Sequence, residues 1–224
     1  VKTKNIKAQN SLKAKKQWLP VIAICTNLRI KSKTEYEAKY KVFYHFSEKN
    51  KKDIYCGDHN IKNWKPITIK RRGNSSDFFS KKQYSLKFKD PKTKESKKIS
   101  FGGFPKSSKW VLNAPYVDKS LIRNIFAYKL GQKIGNTRGE KYFAPRTRSY
   151  ELFLNNTYQG LYVLIEKISR GKERVNITKL KNQENHSISF INEISANDGD
   201  FATKNGTFIN YIYPSKSKLK EIEE

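Results

Sequence analysis

Apolar positions recur along the chain with two different periods. From Tyr36 the alternation is strict: Tyr36, Ala38, Tyr40, Val42, Tyr44 and Phe46 share one face, and Glu35, Glu37, Lys39 and Lys41 share the other. That pattern predicts a half-buried strand. Gln83–Phe88 repeats it, with Tyr84, Leu86 and Phe88 on one side and Ser85, Lys87 and Lys89 on the other. Upstream, residues 19–25 are almost uninterruptedly apolar and strand-sized, so they read as a buried strand. Residues 65–70 predict another strand, which runs into the turn-rich loop Arg71-Arg72-Gly73-Asn74-Ser75-Ser76. Polar loops are expected over 47–60, with a hairpin end at Cys56-Gly57-Asp58, and over 90–98, and a strand over 99–104.

After Asp118 the period lengthens. Leu121, Ile122, Ile125, Phe126, Leu130 and Ile134 recur at helical spacing, with Asp118 placed to cap the start and Gly135 to stop the helix. Past Ala144-Pro145-Arg146 comes a hairpin, residues 150–154 and 160–165 flanking the turn at 155–159. Short strands are predicted at 187–194 and 207–213, then a polar, helix-compatible segment at 217–224. Residues 1–17 are polar and Lys-rich and are expected to be a disordered leader, leaving 18–224 as the folded region. There are no internal repeats.

With 224 residues, 36% hydrophobic and 13% aromatic, the chain can bury a real core. No run approaches the length of a membrane span, and the charged residues 1–16 lack the apolar core of a signal peptide. Met is absent, so Val1 reads as the start of an excerpt or of a processed product. Lys and Arg number 47 against 20 Asp and Glu, a formal charge of +27. Such a field attracts nucleic acid, anionic lipid, phosphorylated protein or nucleotide. The lysines are scattered, however, as on an ordinary solvated surface, and nucleic-acid binding has no support beyond net charge. Cys25 and Cys56 are too few for a disulfide framework or a zinc site. They leave a single disulfide or buried free thiols, and the thiols are favoured. His45, His59 and His186 lack ligand-like spacing.

Arg72 to Ser76 offers an anion a guanidinium, two hydroxyls and backbone N–H groups, although Gly, Asn and Ser equally make a surface turn. Lys87 points away from the Tyr84/Leu86/Phe88 face, as a phosphate-binding strand lysine or an ordinary surface lysine would. Gly102-Gly103 and Asp198-Gly199-Asp200 read as plain turns, since no further spaced oxygen ligands accompany the second. Asp118 and Arg123 could pair with a lysine and a phosphate, but capping and solvation account for them. The element order resembles a kinase small lobe: strand, polar loop, strand with a lysine, helix, hairpin, then Glu166-Lys167-Ile168. In such a lobe a loop covers ATP phosphates, a strand lysine neutralises them and a hinge backbone holds adenine.

Several ordered blocks resemble one family, the spore-coat-protein-H (CotH) kinases. They are Ile69-Lys70-Arg71-Arg72-Gly73-Asn74-Ser75-Ser76; Lys81-Lys82-Gln83-Tyr84; and Trp110-Val111-Leu112-Asn113-Ala114-Pro115-Tyr116-Val117-Asp118-Lys119 with Arg123-Asn124. Ala144-Pro145-Arg146-Thr147-Arg148, Glu151-Leu152-Phe153-Leu154-Asn155, Tyr158 to Ile168 and Arg174-Val175-Asn176-Ile177 continue the match, over roughly residues 65–215.

The resemblance implies a secreted, surface or spore-coat protein kinase that uses ATP and a divalent cation, Mg²⁺ in the full-length family member, to phosphorylate Ser/Thr-rich proteins. The expected fold is α+β, a mostly antiparallel twisted sheet with a packed helix, resembling a kinase small lobe plus hinge and the start of the large lobe. Phosphates are expected on Arg72, Ser75, Ser76 and Lys87, and adenine on the backbone of Glu166, Lys167 and Ile168; Lys167 could instead bind phosphate through its side chain. The family's two acting aspartates lie in an Asn-Glu-Leu-x-x-Asn-x-Asp pattern and a Trp-Asp motif. Neither occurs here: Trp18, Trp64 and Trp110 are not followed by Asp. The resemblance places both motifs beyond Glu224. No catalytic residue or metal ligand is therefore assigned, and these 224 residues are expected to lack kinase activity alone. The rival expectation is a non-catalytic surface or adhesion scaffold, or a gene remnant, of the same family.

Overall fold

The computed structural model describes residues 19–31, 34–46, 53–57, 63–137, 143–179, 189–195, 198–217 and 219. The expected leader, His59, His186 and most of the 217–224 segment lie outside them. The chain divides into two compact units: one holds the residues up to Leu121 together with Thr147–Ile165, the other Ile122–Arg146 with Glu166–Glu224.

In the first unit the strands are β1 (Val21–Cys25), β2 (Tyr36–Phe43), β3 (Lys65–Arg72), β4 (Gln83–Phe88) and β5 (Lys109–Asn113). The hairpin adds β6 (Thr147–Leu154) and β7 (Thr157–Glu166). They close into a barrel in the order β1-β2-β3-β4-β5-β7-β6. The seam is a parallel pairing of β1 with β6 that sets Ile22 opposite Leu152 and Ile24 opposite Leu154. Turn residues Asn155 and Asn156 both take positive φ, 47° and 68°, as a tight two-residue hairpin requires.

The expected α+β small-lobe architecture is thereby corrected: the protein is mostly β, and its principal sheet is a closed seven-stranded barrel. Hairpin signals reveal sequential neighbours only. The pair that closes the barrel joins residues about 130 positions apart, and nothing local encodes that register.

Strand alternation fills the barrel. Tyr84, Leu86 and Phe88 point inward, as predicted, and join Ile22, Ile24, Tyr40, Ile69, Trp110, Leu112, Tyr150 and Leu164 in one core. Phe101 plugs it edge-on to Tyr40, Phe88 and Trp110, at ring separations of 5.5, 5.2 and 5.8 Å. The barrel is thus a packed core, as small barrels are. Gly102 and Gly103 form the expected turn, at φ 65° and 80°, and in place of a strand over 99–104 there is a single bridge from Ile99 to Ser107. A Cβ on Gly102 would come within 2.7 Å of Leu164 Cδ2 and 2.9 Å of the Tyr150 hydroxyl, so only glycine fits.

β1 is apolar throughout because both its faces are covered. Ile22 and Ile24 face the barrel, whereas Val21, Ala23 and Cys25 pack outside it with Phe43, Ile54 and Trp64. Cys25 and Cys56 form a disulfide there, Cα atoms 5.7 Å apart, which corrects the free-thiol expectation. Thirty-one residues separate the two, and their proximity depends on the loop carrying Ile54 folding back on β1.

The second unit contains α1 (Arg123–Thr137) and a small sheet, β8 (Ile191–Ser195), β9 (Phe201–Ala202) and β10 (Phe208–Tyr213), in the order β8-β10-β9. The helix starts later than expected. The Asp118 carboxylate instead closes a preceding turn, accepting from the Ser120 N–H at 3.0 Å and the Ser120 hydroxyl at 2.6 Å, with Leu121 at φ 62°. Gly135 has no positive φ and continues the helix to Thr137. The expected packed helical face is also corrected: Ile122, Phe126, Leu130 and Ile134 are all exposed. No helix among the described residues is long and apolar enough to cross a membrane.

Candidate anion-binding loop

β3 ends in two arginines, and the ten residues before β4 fold into a pinned loop. Gly73, at φ 120°, turns the chain so tightly that a Cβ there would collide with Ser76 Oγ. A 3-10 turn follows over Ser75–Asp77. Arg71 clamps its end: Nε and Nη2 donate to Asp77 Oδ1 at 3.0 and 2.8 Å, and Nη2 also donates to the Asp77 carbonyl at 3.3 Å. Lys82 Nζ donates to the same carbonyl at 2.7 Å.

The loop is tied to the barrel as well. The Tyr162 hydroxyl donates to the Lys82 carbonyl at 2.8 Å, and Lys81 Nζ donates to the Leu161 carbonyl at 2.7 Å while lying 4.9 Å from the centre of the Tyr162 ring. Burial holds the Lys81 ammonium below its ordinary pKa. Phe79 stacks on Tyr116 at 5.1 Å. Arg72 and Ser75 are left exposed and Ser76 half-buried. Among the described residues the Ser75 and Ser76 hydroxyls make no hydrogen bond. A guanidinium and two hydroxyls on a fixed loop are suited to phosphate oxygens.

Arg72 at the end of β3 and Ser75 and Ser76 in the 3-10 turn thus belong to one short segment. Lys87 lies elsewhere on the sheet, on the outer face between Thr68 of β3 and Lys109 of β5. It is four residues beyond Gln83, roughly 13 Å along the strand. Lys87 keeps the parity that alternation predicted.

Glu166, Lys167 and Ile168 belong to the second unit. The Glu166 side chain is fully buried and serves an ion-pair network: Arg146 donates through Nε to Oε2 at 2.8 Å and through Nη2 to Oε1 at 2.9 Å. The Arg146 N–H adds a bond at 2.9 Å, and Arg174 Nε lies 3.4 Å from Oε1. Burial lowers the pKa of the Arg174 guanidinium, with Glu166 opposing the effect. Backbone groups here are also engaged. The Glu166 N–H donates to the Arg146 carbonyl at 3.3 Å, and the Lys167 carbonyl accepts from Arg174 Nη1 at 2.6 Å. Ile168 is exposed.

Arg71, Asp77, Lys81, Lys82, Arg146 and Arg174 were not singled out by sequence reasoning, although all but Asp77 stand in blocks that carry the family resemblance. The Asp198-Gly199-Asp200 turn acts within its own unit, where Asp200 accepts from the Tyr211 N–H at 2.8 Å. Among the described residues no three His, Cys, Asp or Glu side chains gather in a metal-binding group.

The family model described as CotH kinase protein matches residues 69–222. The match begins within β3, includes the pinned loop and covers more than half of the chain, so the chain belongs to the CotH kinase protein family. A search of curated proteins found no match.

Proposed function

We propose that this chain is the nucleotide-binding part of an atypical CotH-type protein kinase acting on Ser/Thr-rich surface or spore-coat proteins. Arg72, Ser75 and Ser76 engage the phosphates of ATP, and Lys87 contributes positive charge. The observation that carries the proposal is the loop after β3, which leaves Arg72 and Ser75 exposed and Ser76 half-buried while Arg71, Lys81, Lys82 and Phe79 anchor it. Preorganised donors of this kind lose little entropy on binding.

ATP suits these residues, since cations and hydroxyl donors complement phosphate oxygens. A divalent cation would supply charge neutralisation at the transferred phosphoryl group, and no ligand for it is assigned among the described residues. The disulfide between Cys25 and Cys56 supports a secreted or surface location, because such bonds persist in oxidising compartments. The rival reading is a non-catalytic surface or adhesion scaffold of the same family, which requires no nucleotide.

Equilibrium titration with a fluorescent ATP analogue and Mg²⁺ tests the proposal. The wild-type chain is expected to bind, and the R72A/S75A/S76A variant to bind at least tenfold more weakly with its fold intact. Equal affinity of the two proteins removes the loop from the site. Failure of the wild-type chain to bind favours the scaffold. Phosphoryl transfer by this chain alone at a kinase-like rate would refute the expectation that it lacks the catalytic machinery.

A further inference from the structure

At the opposite end of β3 from the anion-binding loop, the barrel carries a cavity of about 410 Å³. Its walls come from the ends of β1 and β4 and the middle of β2. We propose that it binds a compact organic anion, a single phosphate or carboxylate group on a small apolar body, at a site separate from the nucleotide site proposed above.

The strand register builds the cationic part. Lys39 on β2 pairs with Pro66 on β3. Phe88 on β4 lies opposite Ile67, so the next residue, Lys89, falls beside Pro66 on its other side. Neighbouring strands lie about 4.8 Å apart, which puts the two lysine backbones roughly 10 Å apart with only a proline ring between them. Two ammonium groups thus flank a low apolar floor.

Lys94 supplies a third cation from the turn after β4. Asp90 shapes that turn by accepting from the N–H groups of Lys92 and Thr93 at 2.9 and 3.4 Å and from Lys97 Nζ at 2.9 Å. Lys94 itself is held at φ 61°, a left-handed conformation that lysine rarely adopts. The turn sets that conformation, the Lys94 N–H donating to the Asp90 carbonyl at 3.0 Å, and so fixes the Lys94 backbone on the cavity rim.

Of the two carboxylates on the lining, Asp90 is committed to Lys97 and the turn amides, leaving Glu37 to face the three lysines. The floor is formed by the Pro66 ring and the backbone of Ala38 and Ile67, whose side chains turn into the barrel core, beside the disulfide at Cys25. The volume lies within the usual range for small-molecule sites, roughly 300–1,000 Å³. A bare anion would leave the apolar floor uncovered, and a neutral apolar molecule would leave the lysines unmatched.

The test is an amide NMR titration of the whole chain with phenyl phosphate, and in parallel with inorganic phosphate. Phenyl phosphate is expected to shift the amides of Thr26, Ala38 and Thr68 saturably, at least fivefold more tightly than inorganic phosphate. The K39A/K89A variant is expected to weaken that binding tenfold or more while leaving ATP-analogue binding unchanged, and R72A to leave the phenyl phosphate shifts unchanged. Equal affinity for the two probes overturns the organic-anion assignment. Shifts scattered over the surface, or retained in K39A/K89A, overturn the site itself. The R72A control separates either failure from a failure of the nucleotide proposal.

Discussion

Arg146 grips both oxygens of Glu166, at 2.8 and 2.9 Å, although the Glu166 side chain is wholly removed from solvent. With Arg174 at 3.4 Å, a single carboxylate stands against two guanidinium groups. Its loss would leave Arg174, itself buried, without that countercharge. Replacing one partner of a buried pair costs about 3–5 kcal/mol. Glu166→Ala is expected to destabilise the protein by that amount in urea unfolding, and Glu166→Gln by less, because the amide still accepts from Arg146. A loss under about 1 kcal/mol for Glu166→Ala would show that the network is not needed for stability.

The disulfide carries its own prediction. Cys25 and Cys56 are 31 residues apart in sequence, and closing a loop of that length removes about 3–4 kcal/mol of unfolded-state freedom in the chain-entropy account. The Cys25→Ser/Cys56→Ser variant is expected to unfold at correspondingly lower denaturant. Wild-type protein treated with reductant should fall to the same midpoint, and a variant as stable as the untreated wild type would argue that the bond contributes nothing.

Legibility from sequence follows the range of the interaction. β4 was predicted with its observed bounds, Gln83–Phe88, and its inward Tyr84, Leu86 and Phe88 sit in the core because alternation is a local property. The β6–β7 hairpin was visible too, although a turn over 155–159 was expected where the structure uses only Asn155 and Asn156. The pairing of Ile22 with Leu152 left no local trace, and neither did the meeting of Cys25 with Cys56. β5 was missed as a strand because Trp110, Val111 and Leu112 are all buried, so the alternation that marks a half-exposed strand is absent. For the candidate site, Arg72, Ser75 and Ser76 are named through the family resemblance and the order of elements, since turn chemistry alone reads equally as a surface turn. It could not show that Arg71, their neighbour, is paired with Asp77.

Asp90 gives a pH dependence. Hydrogen bonds from Lys97 and from the N–H groups of Lys92 and Thr93 hold its pKa below the ordinary carboxylate value. A carboxyl depressed in the folded state stabilises the fold above its unfolded pKa, about 3.9, and the contribution is lost as pH falls through the lower folded value. Wild-type protein is therefore expected to exceed Asp90→Asn in stability at neutral pH, with the gap narrowing only below about pH 4. A gap that stays constant down to pH 2 would mean that the aspartate acts through shape rather than charge.

Behind the anion-binding loop lies a clamp. Arg71 and Asp77 are both largely shielded, with 22% and 20% of their side chains exposed, and they share two short hydrogen bonds. A charge-assisted pair of this kind is worth about 1–2 kcal/mol. In a double-mutant cycle, Asp77→Ala and Arg71→Ala are expected to show a coupling of about 1 kcal/mol in stability. If the clamp also positions Ser75 and Ser76, Asp77→Ala should weaken ATP-analogue binding about fivefold, or ~1 kcal/mol, although Asp77 itself would repel phosphate. That sign distinguishes the two roles. Removing an acidic residue near a phosphate site should tighten binding if the residue acts only through its charge, and should weaken it if the residue sets loop geometry. Tighter binding by Asp77→Ala, with the stability coupling intact, would leave Asp77 a structural element only.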